Sequence, residues 1–77
     1  MYVHEITEGE KACGVTMEDV KRVRQRGAFF GDTFYVPAGT GPALGASVAR
    51  AAFGAPATFS HISKVTGFVA YVRAWEV

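Results

Sequence analysis

The side chains able to do chemistry are few, and their spacing does not assemble a catalytic group. His4 and His61 lie on predicted strands, and two imidazoles need at least a third ligand to hold a metal such as zinc. The acidic residues are scattered along the chain. Ser47, Ser60 and Ser63 lack the sharp strand-to-helix turn that exposes a catalytic serine. We therefore expect no enzymatic activity and no metal site.

The chain contains one cysteine, Cys13, so it cannot form an internal disulfide. This is typical of a protein in a reducing compartment. The N-terminal segment carries Glu5, Glu8 and Glu10 instead of a basic region followed by an apolar one, and no apolar run approaches the roughly 20 residues that cross a bilayer. We therefore expect a cytoplasmic protein without membrane contact.

A glycine-rich turn at 39–42 is superficially similar to a phosphate-binding loop. Together with Gly45 its spacing is G-x-G-x-x-x-G, and no Lys-Ser or Lys-Thr pair follows. Pro42 also removes one of the N–H groups that would bind a phosphate. We interpret the segment as the start of a helix and predict no nucleotide or other cofactor.

Capping signals and alternating apolar residues predict an α+β protein of one domain. In chain order the predicted elements are strand 2–7, loop 8–14, helix 16–26, a hairpin of 28–30 with 33–36, helix 43–53, and strands 57–63 and 68–77. Thr16 and Thr40 are the predicted helix caps, and Gly31-Asp32 is the predicted hairpin turn. The order β-α-β-α-β-β gives an antiparallel or mixed sheet with two helices on one face and a C-terminal β-hairpin.

The first predicted helix has a basic half, consisting of Lys21, Arg22, Arg24 and Arg26. These residues either form a solvated face that complements the helix dipole or contact an acidic protein patch or a phosphate backbone. The net charge is only +1, so electrostatics favour no class of partner. A small nucleic-acid-binding module using this helix is therefore the alternative function.

Aromatic residues exceed what one thin core can bury. They include Phe29, Phe30, Phe34, Tyr35, Phe53, Phe59, Phe68, Tyr71 and Trp75. A core of this size holds about five or six of them. The surplus predicts either a surface that binds another molecule or a homodimer.

The last predicted strand shows where such a surface would lie. Tyr71, Arg73 and Trp75 share one face, opposite Ala70 and Val72, which suit a closely packed helix. Tyrosine, tryptophan and arginine are enriched in the residues that dominate binding energy at interfaces. We expect this face to bind a partner unless the first helix or a second copy covers it.

The second half of the chain has a distinctive order of motifs. An A-G-T-G-P turn at 38–42 precedes the alanine-rich helix 43–53, and a G-A-P turn at 54–56 leads into the hairpin 58–72. This order resembles small anti-CRISPR proteins that phages and other mobile elements encode against type I CRISPR–Cas systems. The resemblance covers about half of the chain, and the first helix and Cys13 have no counterpart in it.

The resemblance implies an inhibitor that masks the DNA-binding surface of a type I Cascade complex in the cytoplasm of a host bacterium. A Cas subunit would be the partner, and direct nucleic-acid binding is not expected. Because the chain is nearly neutral, steric masking fits better than DNA mimicry. The residues expected at the contact are Tyr71, Arg73 and Trp75, helped by Arg22 and Arg26.

Overall fold

The computed structural model describes residues 4–74. The helices are α1 (Glu8–Ala12), α2 (Met17–Arg26) and α3 (Pro42–Phe53), and the strands are β1 (Ala28–Phe30), β2 (Thr33–Val36), β3 (Ala57–Ile62) and β4 (Val69–Arg73). The strands form one antiparallel sheet in the order β1-β2-β4-β3. The α+β prediction is confirmed, with three helices in the described range where two were expected.

The hydrophobic core lies between α2, α3 and one face of the sheet. Phe34 of β2 pairs with Tyr71 of β4, so their side chains point to the same side. Both are buried and belong to one cluster with Val20 of α2 and Val48 of α3. This cluster fixes which face of the sheet is turned inward.

The N-terminal segment differs from the prediction. Residues 4–7 form no strand, residues 2 and 3 lie outside the described range, and α1 occupies part of the predicted loop. The Thr7 hydroxyl oxygen accepts a hydrogen bond from the Glu10 N–H (3.2 Å), and the Glu10 carboxylate accepts one from the Thr7 N–H (3.0 Å). This reciprocal capping box starts a helix directly after the predicted strand, in residues predicted to form a loop.

The other helix starts follow the local sequence signals in part. Thr16 caps α2 as predicted, accepting from the Asp19 N–H at 3.2 Å. Thr40 does not cap α3, because Gly41 precedes its first residue and the Thr40 hydroxyl instead donates to the Pro37 carbonyl at 2.6 Å. The prediction for Thr40 is therefore wrong by one residue.

Both predicted hairpins are confirmed. Gly31-Asp32 connects β1 to β2, with Gly31 at a φ of 64°. The C-terminal hairpin pairs β3 with β4 and contains an irregularity between Phe59 and His61. Residues 75–77 of the predicted long strand lie outside the described range.

Gly27 ends α2 at a point where the backbone passes close to β2. A Cβ atom there would lie 2.5 Å from Cζ of Phe34 and 2.7 Å from the carbonyl oxygen of Tyr35. Gly27→Ala is therefore expected to lower the free energy of unfolding by about 1–3 kcal/mol, the usual effect of overpacking. Urea denaturation measures the change.

Gly9→Ala is the matched control for Gly27→Ala. The nearest atom to a Cβ on Gly9 is Oγ1 of Thr7 at 4.0 Å, and Gly9 lies within α1. Alanine there is expected to stabilise the protein by up to about 1 kcal/mol through its better helix propensity. Equal losses for the two variants would contradict the close approach at Gly27.

Candidate protein-binding surface

One face of the sheet carries no helix among residues 4–74. We call it the uncovered face. Its side chains alternate with those of the core, and they are Ala28, Phe30, Thr33, Tyr35, Thr58, His61, Ala70 and Val72. Any molecule that approaches the sheet from this side meets these side chains first.

The centre of the uncovered face is packed by its own side chains. Ala70 pairs with Tyr35 on one side and His61 on the other. The two rings make an edge-on contact, with centroids 6.2 Å apart. Ala70 is fully buried although it points away from the helices, so the protein's own side chains already cover this part of the sheet.

An apolar groove, which we call the aromatic groove, runs beside this centre. Its volume is about 650 Å³. Its lining residues are Ala28, Phe29, Phe30, Tyr35, Ser63, Val65, Thr66 and Phe68. Phe30 is 80% exposed and Val65 is 94% exposed. Contiguous exposed apolar surface of this kind marks interaction sites more often than single exposed residues do.

Formal charge is missing from the uncovered face. None of its side chains in the described range is an aspartate, glutamate, lysine or arginine. Tyr35 and Thr33 contribute hydroxyl groups between the apolar side chains. Interface centres have this composition, since they are depleted of charged residues and enriched in aromatic ones.

The prediction that Tyr71 belongs to an open face is wrong. Tyr71 and Arg73 do share one face of β4, but it is the face turned towards the helices. Tyr71 is 5% exposed, and burial raises the pKa of its hydroxyl. The ring fits because Gly45 of α3 has no side chain: a Cβ there would lie 2.7 Å from the tyrosine hydroxyl oxygen.

The predicted contact residues other than Tyr71 that lie within residues 4–74 are on two different elements, β4 and α2. Arg73 borders a pocket on the helix side of the sheet, next to Phe53 of α3. Arg22 and Arg26 lie exposed on α2, and Arg22 donates to the Asp19 carboxylate at 2.6 Å. Trp75 lies outside the described residues. A binding role for these arginines stays a prediction.

A polar cluster joins the N-terminal segment to α3 on the other side of the molecule. Arg50 donates to both Glu10 carboxylate oxygens at 2.7 Å and to the Glu5 carbonyl at 3.1 Å. The hydrogen bond from Arg50 lowers the pKa of Glu10. His4 Nε2 lies 3.1 Å from the Ser47 hydroxyl, and burial, followed by the Arg50 charge, lowers the pKa of His4.

This cluster predicts that stability falls on acidification in two steps. The pKa of His4 is lower in the folded protein than its ordinary value of 6.5. The unfolded chain therefore takes up that proton first, and stability declines as the pH falls below about 6.5. The pKa of Glu10 is likewise below its ordinary value of 4.5, so a second decline begins below about pH 4.5.

The urea midpoint measured from pH 8 to pH 3 tests this dependence. Glu10→Gln should flatten the lower step, because an amide does not titrate. A midpoint constant from pH 8 to pH 3 in the unsubstituted protein would contradict the prediction.

Comparisons with known proteins assign no family. No protein-family model, no curated protein and no solved structure matches this chain. Among residues 4–74 there is no helix long and apolar enough to cross a membrane, and no group of three His, Cys, Asp or Glu side chains arranged to hold a metal ion. The functional argument therefore depends on the uncovered face.

Proposed function

We propose that this chain is a non-enzymatic inhibitor that binds a bacterial protein complex through its uncovered face. The observation that carries the proposal is the aromatic groove, whose rim residue Phe30 is 80% exposed on a face without formal charge. Leaving such surface in water is unfavourable by roughly 25 cal/mol per Å² of apolar area, and docking a partner recovers that free energy.

The geometry suits a protein partner in particular. The groove accepts an apolar side chain, while the Tyr35 and Thr33 hydroxyls can hydrogen-bond polar groups around it. Residues that dominate binding energy at interfaces usually fill well-packed, desolvated pockets, and the contacts around them serve mainly to exclude water. We infer that Phe30 is the main anchor.

The partner we propose is a type I Cascade complex, because the turn, alanine-rich helix and hairpin of residues 38–72 resemble anti-CRISPR proteins of that class. Docking of this domain on a Cas subunit would block DNA entry sterically. The net charge of +1 favours that mechanism over imitation of DNA, which requires a strongly acidic surface.

The alternative, a nucleic-acid-binding module using α2, receives less support. The Arg22 guanidinium bonds to Asp19, and the Arg24 guanidinium lies 5.8 Å from the centre of the Phe34 ring. Two of the four basic side chains thus already have intramolecular contacts. Salt-dependent binding to generic duplex DNA would revive this alternative.

A DNA-binding assay with purified type I Cascade tests the proposal. The domain is expected to reduce target-DNA binding by the complex. Phe30→Glu should weaken domain binding about 30-fold or more, as truncation of a dominant anchor costs about 2 kcal/mol or more.

Phe59→Glu is the matched control, because Phe59 is 56% exposed and contacts Tyr71 on the helix side of the sheet. This variant should inhibit as the unsubstituted protein does. Undiminished DNA binding by Cascade at saturating domain would overturn the choice of partner. Equal inhibition by Phe30→Glu and the unsubstituted protein would overturn the proposed surface.

A further inference from the structure

The uncovered face is chemically complementary to itself. It presents an exposed ring, Phe30, which forms one wall of the aromatic groove together with Tyr35, Val65 and Phe68. It also carries no formal charge in the described range. Two copies meeting through this face would therefore bury no unpaired charge and bring no like charges together.

We propose that two copies of this chain associate weakly through their uncovered faces. In a two-fold arrangement each patch meets the same patch of the other copy. Because Phe30 is an exposed wall of the groove, such an arrangement would let the ring of each copy pack against the groove of the other. This self-association competes with partner binding. The competition rests on the proposed function, whereas the self-association does not.

The area of the face indicates that this association is a weak one. The four strands are three to six residues long and lie about 4.8 Å apart, which gives a planar footprint of roughly 300 Å². Stable complexes bury about 800 Å² on each partner. An interface of this size falls in the small, transient class, for which we expect a dissociation constant on the order of 10 μM to 1 mM. A partner that buries more area would displace the second copy.

Sedimentation equilibrium on the purified protein without any partner tests the association. The average mass is expected to rise from 8.2 kDa towards twice that value across the concentration range given above. Phe30→Glu should hold the mass at the monomer value, because it places two carboxylates against apolar surface. Phe59→Glu, the same substitution outside the uncovered face, should associate as the unsubstituted protein does.

Concentration-dependent NMR shifts locate the contact and need no substitution. We expect the largest shifts at Phe30, Tyr35, Val65 and Phe68. Three results would each overturn the inference. The first is a monomer mass at about 1 mM, and the second is equal association of the two glutamate variants and the unsubstituted protein. The third is a set of NMR shifts confined to α2 or the β3 edge. Failure of Cascade binding alongside normal association would overturn the proposed function and leave self-association standing.

Discussion

Arg50→Ala is expected to lower the free energy of unfolding by about 3 kcal/mol. Glu10 is only 8% exposed, and its carboxylate receives two hydrogen bonds from this one guanidinium. Removing one partner of a buried ion pair leaves the other charge desolvated and uncompensated, which costs about 3–5 kcal/mol. A domain of this size has only about 4–12 kcal/mol of stability in total, so the variant should unfold at a much lower urea concentration.

Two further variants separate this pair from ordinary surface charges. Lys11→Ala removes an exposed contact to Glu8, 3.7 Å long, and should change stability by less than about 0.5 kcal/mol. Adding Glu10→Gln to Arg50→Ala removes the stranded charge and keeps an acceptor for the Thr7 N–H. The double variant should therefore be more stable than Arg50→Ala alone. Equal effects of Arg50→Ala and Lys11→Ala would contradict a stabilising role for the buried pair.

The elements with complete local signals could be predicted from the sequence. Helix α2 has a threonine cap at residue 16 and a glycine at residue 27, and both hairpins have turn residues at the correct positions. Such signals depend on hydrogen bonds within a few residues, and so they can be read without knowing the tertiary structure.

The start of the chain carried two conflicting signals. Residues 2–7 alternate as a strand does, whereas Thr7 and Glu10 have the spacing of a capping box. A helix of five residues is marginal by itself. Here it is held by the hydrogen bonds that Arg50, a residue forty positions away, donates to the Glu10 carboxylate, and no local pattern indicates that contact.

The inward side of β4 could not be predicted from its alternation. A period of two residues shows that Tyr71 and Arg73 share a face but does not show whether that face meets the helices. The small size of Ala70 suggested that the helix packed against it. The room for close packing instead comes from Gly45 on the helix. Ala70 lies on the other face of the sheet, beneath the rings of Tyr35 and His61.

Tyr71→Ala distinguishes a core role for this ring from the surface role that the sequence suggested. Tyr71 lies between β4 and α3 in the main hydrophobic cluster. Truncation is expected to lower the free energy of unfolding by about 3 kcal/mol or more, because removal of a large buried ring loses its burial and leaves a cavity. Tyr71→Phe keeps the ring and should stay within about 1 kcal/mol of the unsubstituted protein.

Phe30→Ala is expected to behave in the opposite way to Tyr71→Ala when urea denaturation and sedimentation are measured on both variants. Phe30 is 80% exposed, so its truncation should change stability by about 0.5 kcal/mol or less while weakening association through the uncovered face. We therefore expect Tyr71→Ala to change mainly the stability and Phe30→Ala to change mainly the binding. If Tyr71→Ala kept full stability and lost only association, the inward orientation of Tyr71 would be contradicted, and with it the choice of the uncovered face as the binding surface.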